Sequence, residues 1–143
     1  MTFEELYNLI AERKRTLPEG SGTTVLLTKG FVKILPKLNE EAFEVGLALE
    51  SEGPDDVALE VSQCFYYLIC LAVFLDEPFD RLDLKTDPEQ TCKTEHELAK
   101  QLARDSALLC HSPSLEAINK MNSLLFQSLI LKKSTLEKMF SNL

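Results

Sequence analysis

The segment Val57 to Leu75 constrains this 143-residue chain most: at helical spacing it places apolar side chains on nearly every side of the axis. Such a helix cannot lie on a surface with one face in water and belongs inside a bundle. Within it Glu60, Gln63 and Tyr67 line up at i, i+3 and i+7. A carboxylate in so apolar a helix is costly unless it is paired or liganded.

The rest of the chain reads as further helices. Phe3, Leu6, Tyr7 and Ile10 recur at i, i+3, i+4 and i+7, and Arg13-Lys14-Arg15 suits a helix C-terminus near Thr16. Pro18-Glu19-Gly20-Ser21-Gly22 is a loop by composition, with Ser21 or Thr23 able to cap a short helix through Leu27 before Gly30. A third helix spans Phe31 to Leu49, and Pro36 predicts a bend or a fresh start between Lys33 and Pro36. Ser51-Glu52-Gly53-Pro54 makes the next break, and Asp55 or Asp56 starts the fourth helix, which runs to about Leu75. Phe79 to Leu84 adds a helical turn, and Lys85 to Thr94 reads as a polar, mobile linker. Two more helices cover Glu95 to Cys110 and Ser114 to Leu131, with Pro113 just inside the start of the second, and a short one covers Ser134 to Phe140. No strand-like alternation appears, so the expected fold class is an all-α helical bundle.

A net charge of −8 and a pI near 4.8 leave no basic footprint for nucleic acid or an anionic membrane, so a nucleotide substrate needs a metal to mediate. The N-terminus lacks the pattern of a secretory signal, and the longest apolar run, Cys64 to Leu75, is too short to span a bilayer. A cytoplasmic protein that meets no membrane is the expectation. Cys64, Cys70, Cys92 and Cys110 lack C-x-x-C spacing and read as buried thiols, and His96 and His111 as surface residues without a role.

The acidic residues carry the chemistry. On the third helix Lys33, Lys37, Glu40 and Glu44 fall on one stripe with Glu41 beside it, opposite the apolar Ile34, Leu38, Ala42, Val45 and Leu49. By itself such a stripe is most simply a solvated face. A short helical hairpin, however, brings Glu60 opposite Glu41 and Glu44, and oxygen ligands converging between antiparallel helices describe a magnesium site that fills its remaining positions with water and substrate phosphates. The Pro18–Gly22 loop reads equally as an ordinary connector and as a phosphate-contacting loop.

The order Glu40-Glu41-x-x-Glu44, a fifteen-residue gap, then Glu60-x-x-Gln63 resembles the MazG-type all-α nucleotide pyrophosphohydrolases. Phe3-Glu4-Glu5-Leu6-Tyr7, Pro18-Glu19-Gly20-Ser21, Thr23, Leu26-Leu27-x-Lys29-Gly30, Lys33-Ile34, Lys37 and Glu40-Glu41-Ala42-x-Glu44-Val45 are similar to the phosphoribosyl-ATP pyrophosphohydrolase family, over about Thr2 to Leu84. The resemblance implies magnesium-dependent hydrolysis of the α–β phosphoanhydride of phosphoribosyl-ATP in histidine biosynthesis, usually by a homodimer. It implies Glu41, Glu44 and Glu60 as metal ligands, Gln63 beside them as a neutral oxygen donor, and Glu40 as a ligand or water-orienting base. Arg13, Lys29, Lys33 and Lys37, with Ser21 and Thr23 of the loop, would meet the substrate and its phosphates.

Three positions depart from that pattern: Gln63 replaces the usual aspartate, Tyr66-Tyr67 replaces a tyrosine-histidine pair, and Gly22 replaces a loop tyrosine. They keep two rival functions open, a house-cleaning nucleoside triphosphate pyrophosphohydrolase and a catalytically silent helical interaction module.

Residues 85–143 have no counterpart in the short biosynthetic enzyme and form a C-terminal extension to the 1–84 domain. Laying Ile34-Leu38-Ala42-Val45 over Leu98-Leu102-Ser106-Leu109 brings Glu41 onto Asp105, and laying Glu60 and Gln63 over Glu116 and Asn119 brings Leu75 onto Leu131. The extension is therefore either a degraded second copy, making a pseudo-dimeric monomer, or a plain helical addition to a homodimer.

Overall fold

A computed structural model describes residues 1–143 and contains only helices and loops: α1 (Phe3–Thr16), α2 (Gly22–Lys29), α3 (Phe31–Ser51), α4 (Pro54–Phe74), α5 (Glu95–His111), α6 (Leu115–Leu131) and α7 (Leu136–Phe140), with a 3-10 turn at Phe79–Arg81. The all-α expectation is met. Helices α3, α4, α6 and α5 form a four-helix bundle in that cyclic order; α1 and α7 pack on α4, and α2 lies against α1, α3 and α4. Apolar α4 sits at the centre, with Phe65 edge-on to Phe3 at 4.9 Å and tilted against Phe126 at 5.0 Å between ring centroids. By length and hydropathy α4 alone would suit a bilayer, but 67% of its most apolar window is buried inside the fold, so its apolar surface is used by the core.

Helix starts follow local chemistry. Thr2 Oγ1 accepts from Glu5 N–H while the Glu5 carboxylate accepts from Thr2 N–H, a reciprocal cap on α1. Pro54 at the first position of α4 gives up no helical hydrogen bond, and the Asp56 carboxylate accepts from Gly53 N–H. Gly30 joins α2 to α3 at φ +67°, and a β-carbon there would stand 2.6 Å from the Phe74 ring, so both conformation and space require glycine.

Four local expectations are corrected. Helix α3 is continuous through Pro36, so there is no fresh start between Lys33 and Pro36. The carbonyl left without its usual donor at Pro36 belongs to Val32, a residue 79% exposed at the surface. Pro113 precedes Ser114, which caps α6 by accepting from Ala117 N–H, and so lies outside that helix. Asp55 and Asp56 both lie inside α4, whose cap is Gly53. The expected mobile linker is tied down: buried Gln127 accepts through Oε1 from the backbone N–H groups of Thr91 and Cys92 and from the Thr91 hydroxyl. All four cysteines are free thiols, three of them buried and Cys110 half-buried. His96 and His111 are exposed, with His96 against Glu50.

Candidate active site

Antiparallel α3 and α4, joined by a short turn, bring Glu41 and Glu60 together as the sequence predicts. The two carboxyl groups stand close enough to share a proton as a hydrogen bond, which would relieve their repulsion. Burial, then the charge of Glu60 and the bond to it, and then Glu40 and Glu44, push the Glu41 carboxyl up to about 7. Burial also raises Glu60, aided by the charge of Glu44 and opposed by its bond to Glu41. Glu41 Oε2 is buried and has no partner in the chain. A buried oxygen left in this state, beside a second carboxylate, is strongly disfavoured as an anion unless a cation or proton joins it.

Glu41 lies on the wall of a cavity of about 460 Å³ built from α1 (Leu6, Leu9, Ile10, Arg13), α2 (Thr23), α4 (Ser62, Gln63, Tyr66, Tyr67) and the chain ends at Met1, Asn142 and Leu143. Contacts outside the cavity hold α1 on α4. Tyr7 donates its hydroxyl to the carbonyl of Glu77 at 2.6 Å, and the Lys14 ammonium donates to the carbonyl of Val73 at the C-terminal end of α4 and to Asp76. Arg13 Nη1 donates to Ser21 Oγ at 3.0 Å, and the Thr23 and Tyr66 hydroxyls share a hydrogen bond. Burial pushes the Tyr66 phenol up to about 12, so it remains a neutral hydrogen-bonding group. Tyr66 and Tyr67 stand edge to face at 5.1 Å and give the cavity an aromatic wall.

Glu60 stands beside Glu41 but off the lining of this cavity, and other predicted site residues also fall outside it. Glu40 and Glu44 are exposed on the next face of α3, close enough for their charge to act on Glu41, and Glu40 pairs with Lys37 at 3.6 Å. Lys29, Lys33 and Lys37 do not line the cavity, so Arg13 is the one basic side chain on its wall. Ser21 caps α2 and holds Arg13, a positioning task in place of a direct contact. No group of three or more His, Cys, Asp and Glu side chains stands ready to surround an ion. The carboxylates that meet are the pair Glu41 and Glu60, a number that suits magnesium, which is commonly held by one or two carboxylates plus water and substrate phosphates.

The sequence reading placed Tyr67 on the stripe of Glu60 and Gln63 but gave it no part in the site. Tyr66, one position round the helix, carried no periodic signal toward the site. On α1, Leu6 and Ile10 read as core and Leu9 lies off their stripe, and the docking of α1 on α4 brings all three to the cavity wall.

The family model described as phosphoribosyl-ATP pyrophosphohydrolase matches residues 3–83. The chain is 42% identical over 79 residues to the phosphoribosyl-ATP pyrophosphatase of Lactiplantibacillus plantarum, covering 55% of this chain and 74% of that one. Against the protein of the same name from Metallosphaera sedula it is 42% identical over 83 residues, 55% of this chain and 89% of that one. It also matches the histidine biosynthesis bifunctional protein HisIE of Halalkalibacterium halodurans, at 44% identity over 63 residues, 44% of this chain and 30% of that one. No solved structure matches the chain.

Proposed function

The chain belongs to the phosphoribosyl-ATP pyrophosphohydrolase family, and from that membership we propose that the cavity walled by Glu41, with Glu60 beside it, is where it hydrolyses phosphoribosyl-ATP to phosphoribosyl-AMP and pyrophosphate with the help of magnesium. It is a hydrolase, and the family match together with relatives named for this activity supports phosphoribosyl-ATP as substrate and histidine biosynthesis as its setting. A soluble cytoplasmic enzyme is the form this reading takes.

One observation carries the assignment of the site: two carboxyl groups forced together, one with a buried oxygen that nothing in the chain satisfies. Glu41 and Glu60 would hold the ion, with Gln63 offering a neutral oxygen and Glu44 an outer carboxylate. When bound, magnesium neutralises phosphate oxygens and lowers the pKa of a coordinated water. The chain's own groups do the rest. Arg13, fixed by Ser21, meets polyphosphate charge on the α1 side of the cavity. Tyr66 and Tyr67, with Leu6, Leu9 and Ile10, offer an aromatic and apolar wall to a base and exclude water behind it. Glu40 and Glu44 lie within electrostatic reach of Glu41 and would orient a water or accept its proton from the edge of the site.

The discriminating experiment offers phosphoribosyl-ATP and a panel of nucleoside triphosphates to the purified chain with magnesium. Selective pyrophosphate release from phosphoribosyl-ATP is expected. Turnover of the triphosphates alone would move the site to a house-cleaning role, and no turnover of any of them would make the bundle an interaction module.

A further inference from the structure

Helices α5 and α6 repeat α3 and α4. Each of the four buried residues of α5 has a buried counterpart in α3 when Leu98 is laid on Ile34. With Glu116 laid on Glu60, the buried run Leu124–Leu129 falls on the buried run Leu68–Val73. The helix limits agree as well: α5 begins at the counterpart of Phe31, where α3 begins, and α6 ends within one residue of the counterpart of Phe74, where α4 ends. Helices α3 and α4 have 21 residues each and α5 and α6 have 17 each, so the second hairpin lacks about one turn per helix at its tip.

The contacts across the bundle obey the same relation. Cys110 Sγ stands 3.7 Å from the Leu35 carbonyl, and a β-carbon on Gly46 would stand 3.4 Å from that of Ala99. In the overlay Ala99 occupies the place of Leu35 and Cys110 that of Gly46. The two contacts are thus one contact seen twice, which is the mark of an isologous, two-fold interface.

We infer that α5–α6 is a second, eroded copy of α3–α4, related to it by an internal two-fold axis, and that it occupies in cis the face through which another chain would otherwise complete the bundle. The counterparts of Glu41 and Glu60 are Asp105 and Glu116, and both line one surface cleft of about 230 Å³ that shares no lining residue with the cavity at Glu41. That cleft has lost its chemistry. Leu108 replaces Glu44 and Arg104 replaces Glu40, Asp105 accepts from Gln101, and Glu116 pairs with Lys120. Helices α1 and α2, which build the working cavity, precede α3, and no helix stands between α4 and α5 to play their part. One working carboxylate pair per closed bundle follows. This inference stands on packing alone and is independent of which nucleotide the site takes.

Two full-length variants test it: Leu35→Cys with the native Cys110, and Gly46→Cys/Ala99→Cys with Cys110→Ser. The 3.4 Å β-carbon separation at the second pair is close to the ~3.8 Å of protein disulfides, and the two-fold requires the first pair to match it. After mild oxidation of micromolar protein, non-reducing electrophoresis should show both variants closing within single chains. Cross-linked dimers from either variant would overturn cis closure. Closure of only one pair, or of neither, in chains whose circular dichroism stays helical would overturn the two-fold.

Discussion

Replacing Glu41 with glutamine should stabilise the metal-free protein while removing its activity, and the size of the gain is set by the pair it breaks up. In the folded chain Glu41 is held up to about 7, whereas an ordinary glutamate titrates at 4.5. Between these values the unfolded chain binds fewer protons than the folded one, so wild-type stability falls as pH rises from about 4.5 to about 7, and the loss is complete above that. At about 1.4 kcal/mol per pH unit the interval bounds the loss at ~3 kcal/mol, and screening by solvent at a partly open site reduces it to about 1–2 kcal/mol. Glutamine keeps the shape, donates to Glu60 and cannot ionise, so the variant should escape this loss. Urea titrations of both proteins in EDTA from pH 5 to pH 8 would measure it: the curves should diverge with rising pH and differ by about 1–2 kcal/mol at pH 8, a gap of about 2–8 °C in melting temperature. Saturating magnesium should reverse the order by stabilising only the wild type. Parallel pH dependences for the two proteins, with no divergence up to pH 8, would refute the account of a mutually destabilised pair.

Further outcomes follow from individual contacts. Gln63→Asp supplies a third oxygen anion beside the pair and should retain or raise turnover at saturating magnesium while lowering metal-free stability, as read by pyrophosphate release and melting temperature; a loss of turnover with normal folding would mean that Gln63 acts as a neutral donor. Gly30→Ala must accept both a positive φ and the Phe74 ring, and should cost about 2 kcal/mol or more in urea unfolding; an unchanged midpoint would contradict the close approach. Phe65→Ala removes a ring packed against Phe3 and Phe126 and should cost about 3–5 kcal/mol, measured the same way.

The fold was legible wherever one helix decided the matter. The apolar circumference of Val57 to Leu75 announced a central helix, and Phe3, Leu6 and Ile10 are buried as their spacing implies. Glu60 was legible for the same reason, because a carboxylate on such a helix needs a partner, and the short α3–α4 turn supplied Glu41. What failed depended on surroundings that spacing does not encode. Helix α3 runs on through Pro36, where the carbonyl left without its usual donor belongs to the exposed Val32, and residues 85–94 are not loose because Gln127, a residue with no pattern to mark it, holds their backbone. The stripe of Lys33, Lys37, Glu40 and Glu44 was read correctly as a face, but that face turns beside the cavity and not into it. The aromatic wall escaped because Tyr66 reaches the site through its bond to Thr23, a contact between elements 43 residues apart.

The central claim, that Glu41 and Glu60 together hold the metal that drives hydrolysis, is tested most directly by pyrophosphate release from phosphoribosyl-ATP in wild type and Glu60→Gln, each with magnesium and with EDTA. The account predicts magnesium-dependent turnover in the wild type and a fall of at least ~100-fold in the helical, folded variant. Wild-type turnover that survives EDTA, or a variant as active as its parent, would contradict it.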